Sequence, residues 1–312
     1  VNDPALATTF CQIPLSSPVV LAAGTAGTLD EMGDVLDLSR IGAVTTKSIT
    51  LKPREGHETW RIIDAGPAGM LNAVGLANVG LDAFLEHYAP RAAAMPCKVF
   101  ASVSGFSIDE FVACCGNLDE WAHKGLPAIE LNVSCPNVHT GVEFGHSPPL
   151  IAEFLRAVRP VVKSAKLVVK FSPLTPDLPA VARAAITHGA DALTIANTVR
   201  AMAIDVHTRK PRLSHGTGGL SGPGIHPLAV RLVHEVYTKV AAETRTPIIG
   251  LGGVMRWEHA AEFILAGASA IGMGTALFAD PRSPLGVNKG LAKWTRQQGA
   301  ANLSELVGTL RA

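Results

Sequence analysis

Aromatic residues make up only 5% of the 312-residue chain. That is too sparse for the stacking platforms that hold single-stranded nucleic acids. Excess charge of either sign is also missing: 27 Lys and Arg face 26 Asp and Glu, a formal net charge of +1. No basic cluster stands out, so nucleic acid is not an expected partner. No apolar run approaches the roughly 18 residues that span a bilayer, and no charged-then-apolar leader opens the chain, so a cytoplasmic setting is expected and a membrane is not. Cysteine is scarce: Cys11, Cys97, Cys114, Cys115 and Cys135 form an odd set without a Cys-x-x-Cys pair. Neither a zinc site nor an iron–sulfur cluster is expected on this chain itself. The histidines are scattered without a His-Glu-x-x-His pattern, so no metal is expected.

What the chain does have is apolar substance, 47% hydrophobic against 17% charged residues, enough for a large core. Short apolar or β-branched runs at 19–23, 43–49, 98–103, 128–133, 167–171, 192–196, 247–251 and 270–273 alternate with Ala- and Leu-rich segments of helical pattern. The helical segments fall at 81–94, 107–123, 147–164, 177–188, 227–243 and 257–266, with Gly189 and Gly267 just past two of them, where a helix commonly stops. Continuous apolar strands, each followed by a helix, imply a parallel sheet covered on both faces. Eight such units favour closure over an open doubly wound sheet. The predicted fold is α/β, a single (β/α)₈ TIM barrel over residues 1–312 with active-site loop insertions. The insertions are the long connections 50–80 and 198–226, read as walls of a site because loops of that length in a compact domain usually carry function.

The chemistry concentrates at the end of the fourth strand, in Asn132-Val133-Ser134-Cys135-Pro136-Asn137. Pro136 has no N–H and steers its neighbour out of the helical region, so Cys135 is predicted to start a loop at a strand's carboxyl end. A thiol flanked by Asn132, Ser134 and Asn137 can do acid–base work on a planar ligand held by the amides. The plainer alternative is a small buried hydrophobe, the usual role of a lone cysteine.

Two glycine clusters end the last two strand candidates, Gly250-Leu251-Gly252-Gly253 and Gly272-Met273-Gly274-Thr275. Glycine lets backbone donors approach phosphate oxygens, and barrels often bind phosphate after strands seven and eight. Tight turns without a ligand are the alternative. A third cluster, 216–224, could close over the same phosphate. Lys47 and Lys170 end two other apolar strands, Asn197-Thr198 ends the sixth, and Asn72 lies in the first long connection. Lysine is seldom buried without a partner, so two lysines at strand ends suggest a bound anion or electron-rich ring. No carboxylate pair for glycosidase chemistry and no Ser-His-Asp order is evident. A planar, amide-bearing anion beside a phosphate-bearing cofactor fits this set best.

Taken together, Thr46-Lys47-Ser48, 69–76, 132–137, Ala196-Asn197-Thr198, 218–223 and the two terminal glycine clusters resemble the dihydroorotate dehydrogenase family, from about residue 15 to residue 280. The resemblance implies an FMN-containing barrel that oxidises (S)-dihydroorotate to orotate in de novo pyrimidine biosynthesis. Cys135 would be the base that removes the C5 proton while the C6 hydride passes to flavin N5. Lys47, Asn72, Ala73, Val74, Gly75, Leu76, Asn132, Asn137, Asn197 and Thr198 would hold the substrate. Gly222, Gly252, Gly253, Gly274 and Thr275 would cradle the FMN phosphate. Ala23, Gly24, Lys47, Ser48, Ser102, Asn132 and Ala196 would line the ring, and Lys170 would stabilise the charge of reduced flavin. Ser102 stands where the family usually has a flavin-contacting Asn.

Cysteine at the base position resembles the soluble class 1 enzymes, and 137–145 looks more like their 1B branch. That branch implies a homodimer working with a second subunit that carries FAD and a [2Fe–2S] cluster and passes electrons to NAD. The rival readings are an FMN barrel acting on dihydropyrimidines such as dihydrouracil, a non-catalytic FMN-binding subunit, and a phosphate-binding barrel lyase without flavin.

Overall fold

The computed structural model describes residues 3–134 and 143–311. Eight parallel strands close into a barrel: β1 (Val19–Leu21), β2 (Ala43–Thr45), β3 (Lys98–Val103), β4 (Ala128–Asn132), β5 (Lys166–Phe171), β6 (Ala192–Ile195), β7 (Ile248–Leu251) and β8 (Ala270–Met273). They pair in chain order, and β8 closes on β1 through Ile271↔Val19 and Met273↔Leu21. All eight coincide with the predicted strands. Several stop earlier than the apolar run does: β2 ends at Thr45, and the residues beyond it already belong to the rim of the site.

Two separate apolar clusters show how alternation sorts the strands' side chains. Each strand contributes one residue to the inner cluster, namely Val20, Ala43, Phe100, Ala128, Val168, Ala192, Ile249 and Ala270. The antiparallel hairpin Thr8–Phe10/Ile13–Leu15 plugs this end with Phe10, Ile13 and Leu15. The intervening strand residues, such as Val44, Val99, Ile129, Val169, Leu193 and Ile271, join the larger cluster shared with the helices. One step of two residues up the inner face, the lining turns polar on five strands: Thr45, Ser102, Glu130, Lys170 and Thr194 are all buried. The barrel therefore has a dry lower half and a polar upper half.

The helices of seven or more residues are α1 (Leu81–His87), α2 (Ile108–Asp119), α3 (Pro148–Val158), α4 (Leu178–Thr187), α5 (His226–Val236), α6 (Trp257–Ala266) and α7 (Ser283–Gln297). Several are shorter than their sequence patterns. The first ends at His87 and a separate turn follows at Ala89–Ala92, since Pro90 lacks an N–H to continue the ladder. The connection from β1 to β2 holds only the 3₁₀ turns Glu31–Asp34 and Leu38–Arg40. The C-terminal helix α7 was not among the predicted ones. Ser107 caps α2 by accepting the Glu110 N–H, and Gly267 ends α6 in the left-handed conformation.

The two long connections are not loose loops. Together they build a four-stranded antiparallel sheet in the order Val199–Ala201, Gly218–Ser221, Met70–Asn72, Ile62–Asp64. The pair Gly219↔Asn72 joins the insertion after β6 to the one after β2. This sheet carries its own small core of Leu71, Ala73 and Leu213. No helix among the described residues is long and apolar enough to cross a membrane.

Candidate active site

A cavity of about 330 Å³ lies between the strand ends and the inserted sheet. Barrel side chains Lys47, Ser48, Asn132, Lys170, Ala196 and Asn197 line it from one side, with Asn72, Gly219 and Ser221 of the inserted sheet on another. Residues 73–76, Thr198, Ala23 and Gly24 complete the walls. At the β7 and β8 ends it is bounded by Gly222, Gly252, Gly253, Gly274 and Thr275. The predicted site residues thus meet in one place, with three exceptions. Cys135 and Asn137 lie outside the described residues. Ser102 is fully buried beneath the wall, its Oγ 2.9 Å from Ser48 Oγ and its N–H donated to Thr46 Oγ1. It supports Ser48 and does not face the cavity.

The glycine end is built so that side chains cannot fill it. Gly253 has φ +67°, and a Cβ there would lie 2.6 Å from the Gly222 carbonyl oxygen. Gly222 has φ +106° and would carry its Cβ to 2.7 Å from Gly69 Cα. The turns after β6 insertion and β7 therefore touch backbone to backbone, which only glycine permits. His226, at the start of α5, braces this cradle: its Nδ1 lies 2.8 Å from the Gly252 carbonyl and its Nε2 3.2 Å from Glu262. Thr275 donates to Ser221 Oγ at 2.7 Å, tying the β8 end to the inserted sheet.

The opposite end is a linked amide set. Asn197 Nδ2 donates to Asn132 Oδ1 at 3.1 Å, and Asn197 Oδ1 accepts the Thr198 N–H at 2.8 Å. Asn72 Nδ2 donates to the Gly219 carbonyl at 3.3 Å. Each side chain is thereby oriented while keeping hydrogen-bonding capacity for a ligand. Lys47 lies near Gly24 and has no carboxylate partner among the described residues. Burial pushes its proton affinity down, and the charges of Arg61 and Lys170 add to that. An unpaired ammonium of this kind calls for an anion.

A second cavity of about 270 Å³ shares Asn132, Asn197 and Thr198 with the first and is also lined by His57, Ser134, Glu143, Arg200 and His215. Ser134 and Glu143 are the residues that flank the segment carrying Cys135 and Asn137. Burial raises the Glu143 carboxyl above the usual range, opposed by Arg200. The rings of His57 and His215 stack at 3.9 Å, joining the two insertions.

Sequence reasoning left several contributors unassigned. Glu130, Thr194, Ser221, Met70 and His226 were not singled out as site residues. Glu130 did carry a signal, a lone carboxylate inside an apolar strand.

The family model described as Dihydroorotate dehydrogenase matches residues 5–294. The chain belongs to the dihydroorotate dehydrogenase family. It is 41% identical over 308 residues to a Trichlorobacter lovleyi chain named dihydroorotate dehydrogenase B (NAD(+)), catalytic subunit, covering 98% of this chain and 99% of that one. A Parabacteroides distasonis chain of the same name is 43% identical, with 96% and 95% covered. A Solibacter usitatus chain provisionally named dihydroorotate dehydrogenase A (fumarate) is 43% identical, with 99% of both covered. Among solved structures, that of DHODH in complex with ferulenol from Eimeria tenella superposes with a TM-score of 0.82 at 22% identity, covering 99% of this chain and 89% of that one. The shared fold of this dihydroorotate dehydrogenase family is thus the barrel described above, and the family is one of oxidoreductases.

Proposed function

We propose that this chain oxidises (S)-dihydroorotate to orotate on a bound FMN, as a cytoplasmic step of de novo pyrimidine biosynthesis. The observation that carries the reading is the polarity of one cavity. A glycine cradle that excludes side chains stands at one end, and an amide set beside an unpaired ammonium stands at the other. The first suits a phosphate and the second a planar anion with amide groups.

On this reading Gly222, Gly252, Gly253, Gly274 and Thr275 hold the cofactor phosphate. Ala23, Gly24, Ser48, Asn132, Ala196 and Lys170 line its ring, and Ser102 acts through Ser48. FMN, when bound, supplies the hydride acceptor. Lys47, Asn72, residues 73–76, Asn132, Asn137, Asn197 and Thr198 orient the dihydropyrimidine and its carboxylate. Cys135 takes the C5 proton, a role for which a thiol must be positioned at the substrate face. Lys47 favours a carboxylate-bearing substrate over dihydrouracil.

Electrons must then leave. The relatives named catalytic subunit of an NAD(+) enzyme support a second subunit that passes electrons on to NAD; on our reading that subunit carries FAD and a [2Fe–2S] cluster and serves a homodimer of this chain. The relative named for fumarate supports direct reoxidation instead. Purified chain mixed anaerobically with dihydroorotate should lose its flavin absorbance. Reoxidation by fumarate, against none by NAD, would remove the need for a partner. A colourless chain that takes up no FMN would overturn the flavin reading, and a yellow one unchanged by dihydroorotate but bleached by dihydropyrimidines would replace the substrate.

A further inference from the structure

Beneath the cavity lies a charge to which the proposed reaction gives no task. Glu130 on β4 is 3% exposed, among apolar neighbours of the same strand. Its Oε2 accepts the Thr194 hydroxyl from β6 at 2.8 Å. Its Oε1 stands 3.6 Å from Lys170 Nζ on β5 and has no hydrogen-bond partner among the described residues. A charge-assisted hydrogen bond between an ammonium and a carboxylate is about 2.7–2.9 Å long. This pair stops short, although both side chains are shielded from water, at 8% and 4% exposure.

The gap has a consequence for Lys170. An ammonium carries three donors. No described residue accepts one, and Lys170 faces the cavity, so its donors are left to the cavity's occupant. The cavity lining contains a second ammonium, Lys47, and no Asp or Glu. Glu130 is thus the carboxylate that offsets positive charge at this site, from below and out of reach of any ligand.

We propose that Glu130 is a positioning residue for the redox step, holding Lys170 at the cavity floor and offsetting its charge, so that the pair and not a bare ammonium sets the electron affinity of the bound flavin. This rests on the FMN reading above. A lone cation beside a flavin favours the reduced, anionic form. Left unbalanced in a poorly screened site, it would hold electrons that the enzyme must pass on. A buried carboxylate one layer below lowers that affinity without blocking the donors.

The test is the midpoint potential of the holoenzyme, measured against a reference dye during slow reduction, with thermal unfolding followed in parallel. Glu130→Gln keeps the size and the Thr194 hydrogen bond but removes the charge. Its two-electron equilibrium should shift about tenfold toward reduced flavin, a rise of ~30 mV. Lys170→Met should shift it the opposite way. Adding Glu130→Gln to Lys170→Met should move the potential by much less than tenfold, because Glu130 acts through the Lys170 charge and has none to offset once that charge is gone. A Glu130→Gln holoenzyme with an unchanged or lowered potential overturns the inference alone, whatever its unfolding temperature. Failure of the wild-type chain to bind FMN overturns the flavin reading and this inference with it.

Discussion

Asn197 at the end of β6 donates its Nδ2 to Asn132 Oδ1 at the end of β4, 3.1 Å away across the barrel mouth. The bond fixes which way both amides point. Asn132 Oδ1 also accepts the Ser134 N–H at 3.4 Å, so its Nδ2 donors are left for the cavity. Asn197 Oδ1 is taken by Thr198. The pair is a preset donor array.

Asn132→Ala should therefore harm binding more than folding. It removes one donor set and releases Asn197, at a cost of about 1–3 kcal/mol for polar groups left unpaired. Orotate affinity, read by the flavin spectral change on titration, should fall roughly 5- to 150-fold by that range. The flavin content should fall less than the orotate affinity, since the phosphate cradle that anchors the cofactor is untouched. Unchanged orotate affinity would remove Asn132 from the substrate site.

Cys135→Ala tests the base. FMN and orotate should still bind, while anaerobic flavin reduction by dihydroorotate should slow by about 10²- to 10⁴-fold. Cys135→Ser should retain more activity at high pH than Ala does, since a hydroxyl can still accept a proton there. Stopped-flow reduction at wild-type rate in the Ala variant would sink the assignment.

The barrel was legible in the sequence because its strands are short, apolar and punctuated. Val44, Val169 and Ile271 on the outer face, with Val20, Val168 and Ile249 on the inner, leave no polar alternation to confuse with an antiparallel sheet. The lining of the cavity was conspicuous for a different reason, since Lys47, Lys170, Asn132 and Asn197 are polar residues at the ends of apolar strands. The inserted sheet was not legible. Its outer strands Ile62–Asp64 and Val199–Ala201 are only three residues long, and the pairing that joins its halves, Gly219↔Asn72, links segments more than a hundred residues apart. Nothing in the sequence showed that Ser102 would sit behind Ser48 and not in the cavity lining itself, as β3 runs on past it. Glu130 passed unassigned because nothing local reveals that Thr194 and Lys170, from two other strands, converge on it.

Gly253→Ala should separate cofactor binding from substrate chemistry. The substitution forces a side chain into φ +67° and against the Gly222 carbonyl oxygen at 2.6 Å. Strain of about 1–3 kcal/mol at such a position must be relieved by moving the turn. The purified variant should carry much less flavin, seen as a lower ratio of visible to ultraviolet absorbance, and added FMN should restore activity only at high concentration. Full flavin occupancy at normal affinity would show that the turn after β7 is no phosphate cradle.

Lys47 sets stability against function, and the sign can be worked out. Burial, then Arg61 and Lys170, lower its proton affinity in the folded chain below that of an ordinary lysine. The unfolded chain therefore binds this proton more tightly, and stability from this group increases as pH rises from the lowered value toward the ordinary one. At neutral pH the charged side chain works against folding of the ligand-free protein. Lys47→Met removes the charge and keeps the apolar stem, so the unfolding temperature without ligand should rise, by ~2–4 °C if about 1 kcal/mol is recovered. Orotate binding should move the other way, since an unpaired ammonium is what its carboxylate meets. In the wild type, orotate affinity should fall as pH rises through the lowered lysine value, and the variant should lose that pH dependence along with at least about tenfold in affinity, or 1.4 kcal/mol. A variant that is less stable without ligand, yet binds orotate as the wild type does, would show that Lys47 is a structural cation whose partner is not the substrate.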